Sequence, residues 1–173
     1  VSINAFFLIG CKDKDHDHES LTSEPAKKNN YWSQSTCKID GHAWGDCFPS
    51  LIKGSRASGE WYKNFEGDPL QLHFANVCDS PFTEINISLK KFNGIGSYSL
   101  STDNYAEYNV VYMLDRTQYR TNLVTTGKVS ITKFDTARRE ISGTYEFGAF
   151  NSDSNTTRVI TNGVFNRIIF SIL

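Results

Sequence analysis

Four thiols stand out among the residues that could do chemistry: Cys11, Cys37, Cys47 and Cys78. A thiol can pair with another, bind a metal, attack a substrate or carry a lipid, and its surroundings decide which. Cys11 closes the apolar run Phe6-Phe7-Leu8-Ile9-Gly10 and is followed by Lys12, Asp13, Lys14, Asp15, His16, Asp17, His18 and Glu19. A core strand would not turn so abruptly into charge, so a buried structural role for Cys11 is the weaker reading. His16, His18 and the neighbouring carboxylates are suitable ligand types for Zn or Ni, but nothing in the pattern fixes them in place. His42 and His73 could serve a nucleophilic cysteine, yet no local signature links them to one.

Leu8-Ile9-Gly10-Cys11 resembles the bacterial lipobox. The resemblance implies that Cys11 takes a diacylglyceryl thioether, that residues 1–10 are removed, and that the new α-amino group is acylated. One acyl chain binds a membrane reversibly whereas two or more anchor stably, each buried methylene contributing about 0.8 kcal/mol. "VSINAFFLIG" has neither an initiator Met nor a basic leading region, as expected for the second half of a signal whose beginning lies upstream. Lys12, Asp13, Asp15, Asp17 and Glu19 resemble the surface-export signal of Bacteroidota lipoproteins; a solvated tether is the plainer reading, and the two are compatible. Residues 12 to about 30 continue with mixed charge, Pro25 and no apolar period, which reads as a linker. A flexible coil of that length has a root-mean-square span of roughly 25 Å.

With Cys11 lipidated, three cysteines remain for an oxidising compartment, which favours one disulfide and one free thiol. Cys47 in "GDCFPS" and Cys78 in "NVCDSPF" both sit beside Asp and near Pro, while Cys37 alternates with Ile39 as in a strand. Cys47–Cys78 is the favoured pair, with the pairings that use Cys37 left open.

Other patterns are short. Asp135-Thr136-Ala137 matches the acceptor at which envelope proteins of this bacterial group are O-glycosylated, making Thr136 a candidate. Asn86-Ile87-Ser88 and Asn155-Thr156-Thr157 match N-glycosylation acceptors, a reading that presumes a eukaryotic secretory route. "NSDSN" spaces Asn151, Asp153 and Asn155 like a calcium loop but lacks the central Gly and terminal Glu, so a polar turn fits better. Trp61 and Tyr62, flanked by Glu60 and Lys63, are the candidate exposed aromatics for stacking on a ligand, whereas Trp44 reads as core. The chain has no G-x-S-x-G elbow, H-E-x-x-H pair or phosphate-cradling Gly loop.

The elements that must position these residues read as strands. Aromatic content is 13%, Met occurs once in 173 residues, and Thr, Ser, Tyr and Phe abound, which suits half-buried strands. Leu70, Leu72 and Phe74 alternate with polar neighbours, as do Ile85, Ile87 and Leu89, while Ala106, Tyr108, Val110 and Tyr112 alternate against Glu107, Asn109, Val111 and Met113, a strand expected to be covered on both faces near its end. Asp40-Gly41 supplies a two-residue hairpin turn. "VSITKFDTARREISGTYEF" reads as a long hairpin, and "RVITNGVFNRIIF" as two short strands broken at Asn162-Gly163, where a residue tolerant of positive φ suits a tight turn or a bulge. About eight to ten strands at roughly ten-residue intervals predict an all-β fold, an antiparallel β-sandwich or flattened β-barrel, with a closed lipocalin-like barrel as the alternative. The organisation expected is a residual signal peptide at 1–10, lipidated Cys and linker at 11–30, and one β-rich domain at 31–173. A net charge of −1 with evenly spread Lys and Arg argues against nucleic acid.

Three motifs in order, "CKIDGHAW", "VSITKFDTARREISGTYEF" and "ITNGVFN", resemble an uncharacterised family of Bacteroidota lipoproteins whose domain has no known function. The resemblance covers roughly residues 35 to 167 and implies a lipid-anchored β-rich domain; it assigns no catalytic residue and no cofactor. The expectation is a non-enzymatic binding or accessory module, lipid-anchored in the outer membrane and displayed on the cell surface, with other envelope proteins or glycans as partners. A carrier of a small apolar ligand inside a barrel is the first alternative, and a carboxylate-based hydrolase the second.

Overall fold

A computed structural model describes residues 34–47, 57–113 and 115–173. Among them are eleven strands and no helix: β1 (Ser35–Ile39), β2 (His42–Gly45), β3 (Ala57–Trp61), β4 (Leu70–Asn76), β5 (Phe82–Leu89), β6 (Gly96–Leu100), β7 (Tyr105–Tyr112), β8 (Asp115–Arg120), β9 (Gly127–Asp135), β10 (Glu140–Asn151) and β11 (Thr156–Ile172). The count exceeds the eight to ten expected because short β2 ("HAWG") and β6 ("GSYSL") carry too little apolar alternation to announce themselves. The lipobox residues Leu8, Ile9 and Gly10, the thiol of Cys11, the candidate export residues Lys12, Asp13, Asp15, Asp17 and Glu19, and His16 and His18 lie outside the described residues.

The strands form one sheet in the order β2-β1-β11-β3-β4-β5-β7-β8-β10-β9-β6, and β10 also pairs with β11. Pairing therefore runs in a closed circuit through β11, β3, β4, β5, β7, β8, β10 and back to β11, the layout of a flattened barrel. All pairings are antiparallel except β11 with β3, which is parallel over Phe170–Ile172, so the sheet is mixed rather than wholly antiparallel as expected. Asp40 and Gly41 both take positive φ (50° and 85°) in the two-residue turn that sets Ile39 opposite His42.

Of the turn and the bulge expected at Asn162-Gly163, the structure has the bulge, and the two short strands expected there are one strand of 17 residues. Asn162 (φ 54°) and Arg167 (φ 53°) each sit where β11 spends one residue more than β10 between successive pairs. A bulge bends its strand and increases local twist. β11 can thus pair with β10 along most of its length and with β1 between Ile160 and Phe165, and still reach β3 at its end. Two glycines admit rings on the inner side: a Cβ on Gly163 would lie 2.5 Å from the Tyr145 ring, and one on Gly143 would lie 2.6 Å from Phe165 Cζ.

The interior is filled by side chains from both layers. Phe74 stacks on Tyr145 at 5.7 Å and lies 5.6 Å from Phe165, while Phe134 meets Phe92 at 4.8 Å, Phe170 at 5.0 Å and Trp61 at 5.2 Å. Trp44 packs against the same core and donates through Nε1 to Thr83 Oγ1 at 2.8 Å. Cys47 and Cys78 are disulfide-bonded with Cα atoms 5.7 Å apart, and Cys37 is a buried free thiol. Burial pushes the Cys37 thiol up to about 11 against the opposing effect of a hydrogen bond with Tyr145.

At the start of β10, Glu140 receives Arg167 Nη2 at 2.9 Å and Lys133 Nζ at 2.8 Å. The Arg167 hydrogen bond, then that of Lys133, draws its carboxyl from 4.5 down to about 2. A carboxyl lowered in the folded state adds stability above the unfolded value, and that contribution disappears as pH falls from about 4.5 through about 2. The Glu140 side-chain carbon resonance is expected to titrate near the lower value, and Glu140→Gln to flatten acid sensitivity in that window. Titration at an ordinary glutamate value would contradict the assignment.

Candidate functional site

β3, β4, β5 and β7 lie side by side, and alternation gives them two different faces. Inward go Leu70, Leu72 and Phe74 from β4 and Ile85, Ile87 and Leu89 from β5, all essentially fully buried. Outward go the polar members of the same stretches, and the register brings them into rows. Glu60, Gln71, Ser88 and Tyr105 stand opposite one another in the first row. Ser58, His73, Asn86 and Glu107 make the second, continued by Arg120 on β8. These eight outward residues line a trough of about 400 Å³, with Leu72 and Ile87 completing its floor.

The charges are arranged unevenly. Arg120 lies with its guanidinium 3.7 Å from the centre of the Tyr105 ring and its Nε 3.8 Å from Glu107 Oε1. Arg116 on β8 reaches Glu84 at 3.3 Å. Glu60 accepts a hydrogen bond from the Tyr62 hydroxyl at 2.7 Å, which raises the Tyr62 pKa. Burial lowers the His73 pKa, outweighing the opposite pull of Glu84 and Glu60. Its imidazole is therefore neutral at pH 7, with one donor and one acceptor. Asn109, the next outward-parity residue on β7 after Glu107, is fully buried, and both polar atoms of its side chain find no hydrogen-bond partner among the described residues.

Trp61 does not present a free stacking face. It shares its side of β3 with buried Ala57 and Gly59, and its half-buried ring is turned edge-on to Phe92, Phe134 and Phe170. Tyr62 is half-buried, with its hydroxyl on Glu60 and its ring edge-on to Phe65 at 6.0 Å. The pair expected to be exposed is half-buried: Trp61 packs against the core and Tyr62 stands at the rim. Thr136 is exposed at the tip of the β9–β10 hairpin, where Asp135 Oδ1 accepts from the Arg138 amide. "NSDSN" is the β10–β11 turn: Asn151 Oδ1 accepts from Ser154 N and Oγ, both at 2.7 Å, and Asn155 takes φ 52°. Among the described residues no group of three His, Cys, Asp or Glu side chains converges to hold a metal.

Fold and trough together define an all-β domain, a flattened barrel with a polar trough on its outer wall. Residues 78–169 match the family described as domain of unknown function DUF6252, and the chain belongs to that family. The matched stretch contains β5 and β7 of the trough and the "VSITKFD" and "ITNGVFN" motifs, while "CKIDGHAW" lies before it. No curated protein and no solved structure matches the chain.

Gln71, His73, Asn86, Ser88 and Glu107 were not singled out as binding residues by sequence reasoning. The available signal was that the polar half of the alternation in three strands is rich in amides, hydroxyls and ionisable groups rather than in Lys and Glu alone.

Proposed function

We propose that this chain is a lipid-anchored, non-enzymatic protein of a Bacteroidota outer membrane, held at Cys11 and presenting its β domain at the cell surface as a binding or accessory module. The observation that carries the reading is Leu8-Ile9-Gly10-Cys11 followed at once by Lys12 to Glu19. An apolar run ending at a thiol and passing directly into charge suits lipid attachment and does not suit a core strand.

Two features of the fold favour external binding over the alternatives. A carrier of an apolar ligand needs an interior void, whereas ring-on-ring contacts of 4.8–5.7 Å occupy the space between the layers. A two-carboxylate hydrolase needs carboxyl groups about 5–9.5 Å apart. Glu60 and Glu107 rise from β3 and β7, three strand spacings apart, roughly 14 Å at the backbone.

Metabolic labelling with an alkyne-palmitate in the native host is expected to mark the wild type and not Cys11→Ala. Label persisting without that thiol would remove the anchor from the account. Protease added to intact cells should then release the domain; protection of a labelled protein would place it on the periplasmic side instead.

A further inference from the structure

We infer that the trough across β3, β4, β5 and β7 is a site for an uncharged polyhydroxylated ligand, a sugar unit of a glycan, with Gln71, His73 and Asn86 as its hydrogen-bonding floor and Glu60 and Glu107 as acceptors at its two sides. The inference deepens the binding-module reading by giving it a ligand class and a location.

The floor is chemically two-sided. Gln71 and Asn86 each offer two N–H donors and a carbonyl acceptor, Ser58 and Ser88 each offer a hydroxyl, and neutral His73 offers one donor and one acceptor. Among the described residues the side chains of Gln71, His73 and Asn86 have no hydrogen-bond partner, and His73 feels Glu84 and Glu60 only through their charge. A ligand that satisfies such a surface must itself donate and accept at closely spaced points, which hydroxyl groups do and apolar or purely anionic groups do not. Neighbouring strands are about 4.8 Å apart, so functional groups in one row recur at a spacing comparable to the width of a sugar ring.

Electrostatics narrows the choice further. Arg116 and Arg120, the nearby cations on β8, already face Glu84 and Glu107, and Arg120 also covers Tyr105. An anionic ligand would meet Glu60 and Glu107, while Arg116 and Arg120, the two guanidiniums described on the neighbouring strand, are already turned to carboxylates. A simple cation would find Glu60 but leave the amide and hydroxyl floor unused. Carboxylates accept charge-assisted hydrogen bonds from ligand hydroxyls, stronger than those between neutral groups.

The floor is also held in place before any ligand arrives. β4 is paired along its whole length with β5, and β5 with β7 from Phe82 to Ser88. Beneath the polar rows lie Leu70, Leu72, Ile85 and Ile87 at 0–1% exposure. The backbone positions from which these side chains rise are thus set before binding, so little backbone freedom is lost when a ligand docks. The volume of about 400 Å³ falls within the range of small-molecule sites, about 300–1,000 Å³.

The test uses the full 173-residue chain, isotopically labelled, titrated separately with cellobiose, maltose, mannobiose and N,N′-diacetylchitobiose, and with glucose 6-phosphate as the anionic comparison. At least one neutral disaccharide is expected to shift the side-chain amide signals of Gln71 and Asn86 and the His73 ring signals saturably. Gln71→Ala combined with Asn86→Ala should weaken that binding by about tenfold or more, because ligand hydroxyls would lose their partners. Both positions are on the solvent side of the sheet, and an unchanged melting temperature would show that the variant folds. Absence of saturable shifts with all four neutral sugars, shifts confined to other parts of the molecule, or tighter binding of glucose 6-phosphate would each overturn the inference. Because the titration does not involve Cys11, its failure would leave the anchor standing, and loss of palmitate label would leave the trough standing.

Discussion

Phe165→Ala is expected to cost about 3–5 kcal/mol, the range for deleting a fully buried phenylalanine ring. Phe165 is 1% exposed, lies 5.6 Å from Phe74 and 6.3 Å from Tyr145, and covers Gly143. It comes from β11, Phe74 from β4 and Tyr145 from β10, so the three rings tie the two layers together at mid-height. The vacated space cannot close readily, because the neighbours belong to strands whose positions are set by hydrogen-bonded ladders. For a chain of this size the loss corresponds to a melting temperature lower by roughly 6–20 °C. Phe165→Leu should recover a good part of it. A urea midpoint for Phe165→Ala close to that of the wild type would show that the ring is not wedged between layers. Gly143→Ala approaches the same contact from the other side: its Cβ would overlap Ser130 O as well as the Phe165 ring, and destabilisation is again expected.

The second large effect concerns the disulfide. Cys47 and Cys78 are 31 residues apart in sequence, and closing a loop of that size restricts the unfolded chain by about 3–4 kcal/mol on the entropic account. The bond fastens the chain leaving β2 to the turn between β4 and β5, beside the backbone bonds from Cys47 N to Ala75 O and from Val77 N to Cys47 O. Reduction, or Cys47→Ala with Cys78→Ala, should lower the unfolding free energy by that amount while leaving the strand content intact. The Cys37 thiol, buried and raised to about 11, is a poor nucleophile at neutral pH, so exchange with the bond is not expected until the domain opens. A denaturation curve insensitive to reductant would contradict this.

What could be read from the sequence follows from where its information is local. Leu70, Leu72 and Phe74, and Ile85, Ile87 and Leu89, alternate with polar residues because each strand buries one face, and the structure turns those six inward. The same reasoning reaches the Asp40-Gly41 hairpin, whose turn is written in two residues. It could not reach the parallel contact of β11 with β3, since pairing between strands about a hundred residues apart depends on how the sheet curls. At Asn162-Gly163 the sequence leaves a turn and a bulge equally open, because a left-handed residue suits both; packing of Gly163 beneath Tyr145 decides for the bulge. At Trp61 the flanking Glu60 and Lys63 point toward solvent, and its inward neighbours on β3, Ala57 and Gly59, are too small to advertise the side it packs on.

The trough was hidden for a different reason. Each outward residue, taken alone, looks like ordinary solvated surface. Only the register that sets His73 opposite Asn86, and Asn86 opposite Glu107, makes them neighbours. That arrangement is a property of four strands together.

The most direct measurement is the mass of the N-terminal peptide of the mature protein purified from membranes of its native host. The account predicts a peptide beginning at Cys11 with the added mass of a diacylglyceryl group and an N-linked acyl chain. A peptide that continues unmodified from residue 10 through Cys11 would contradict it.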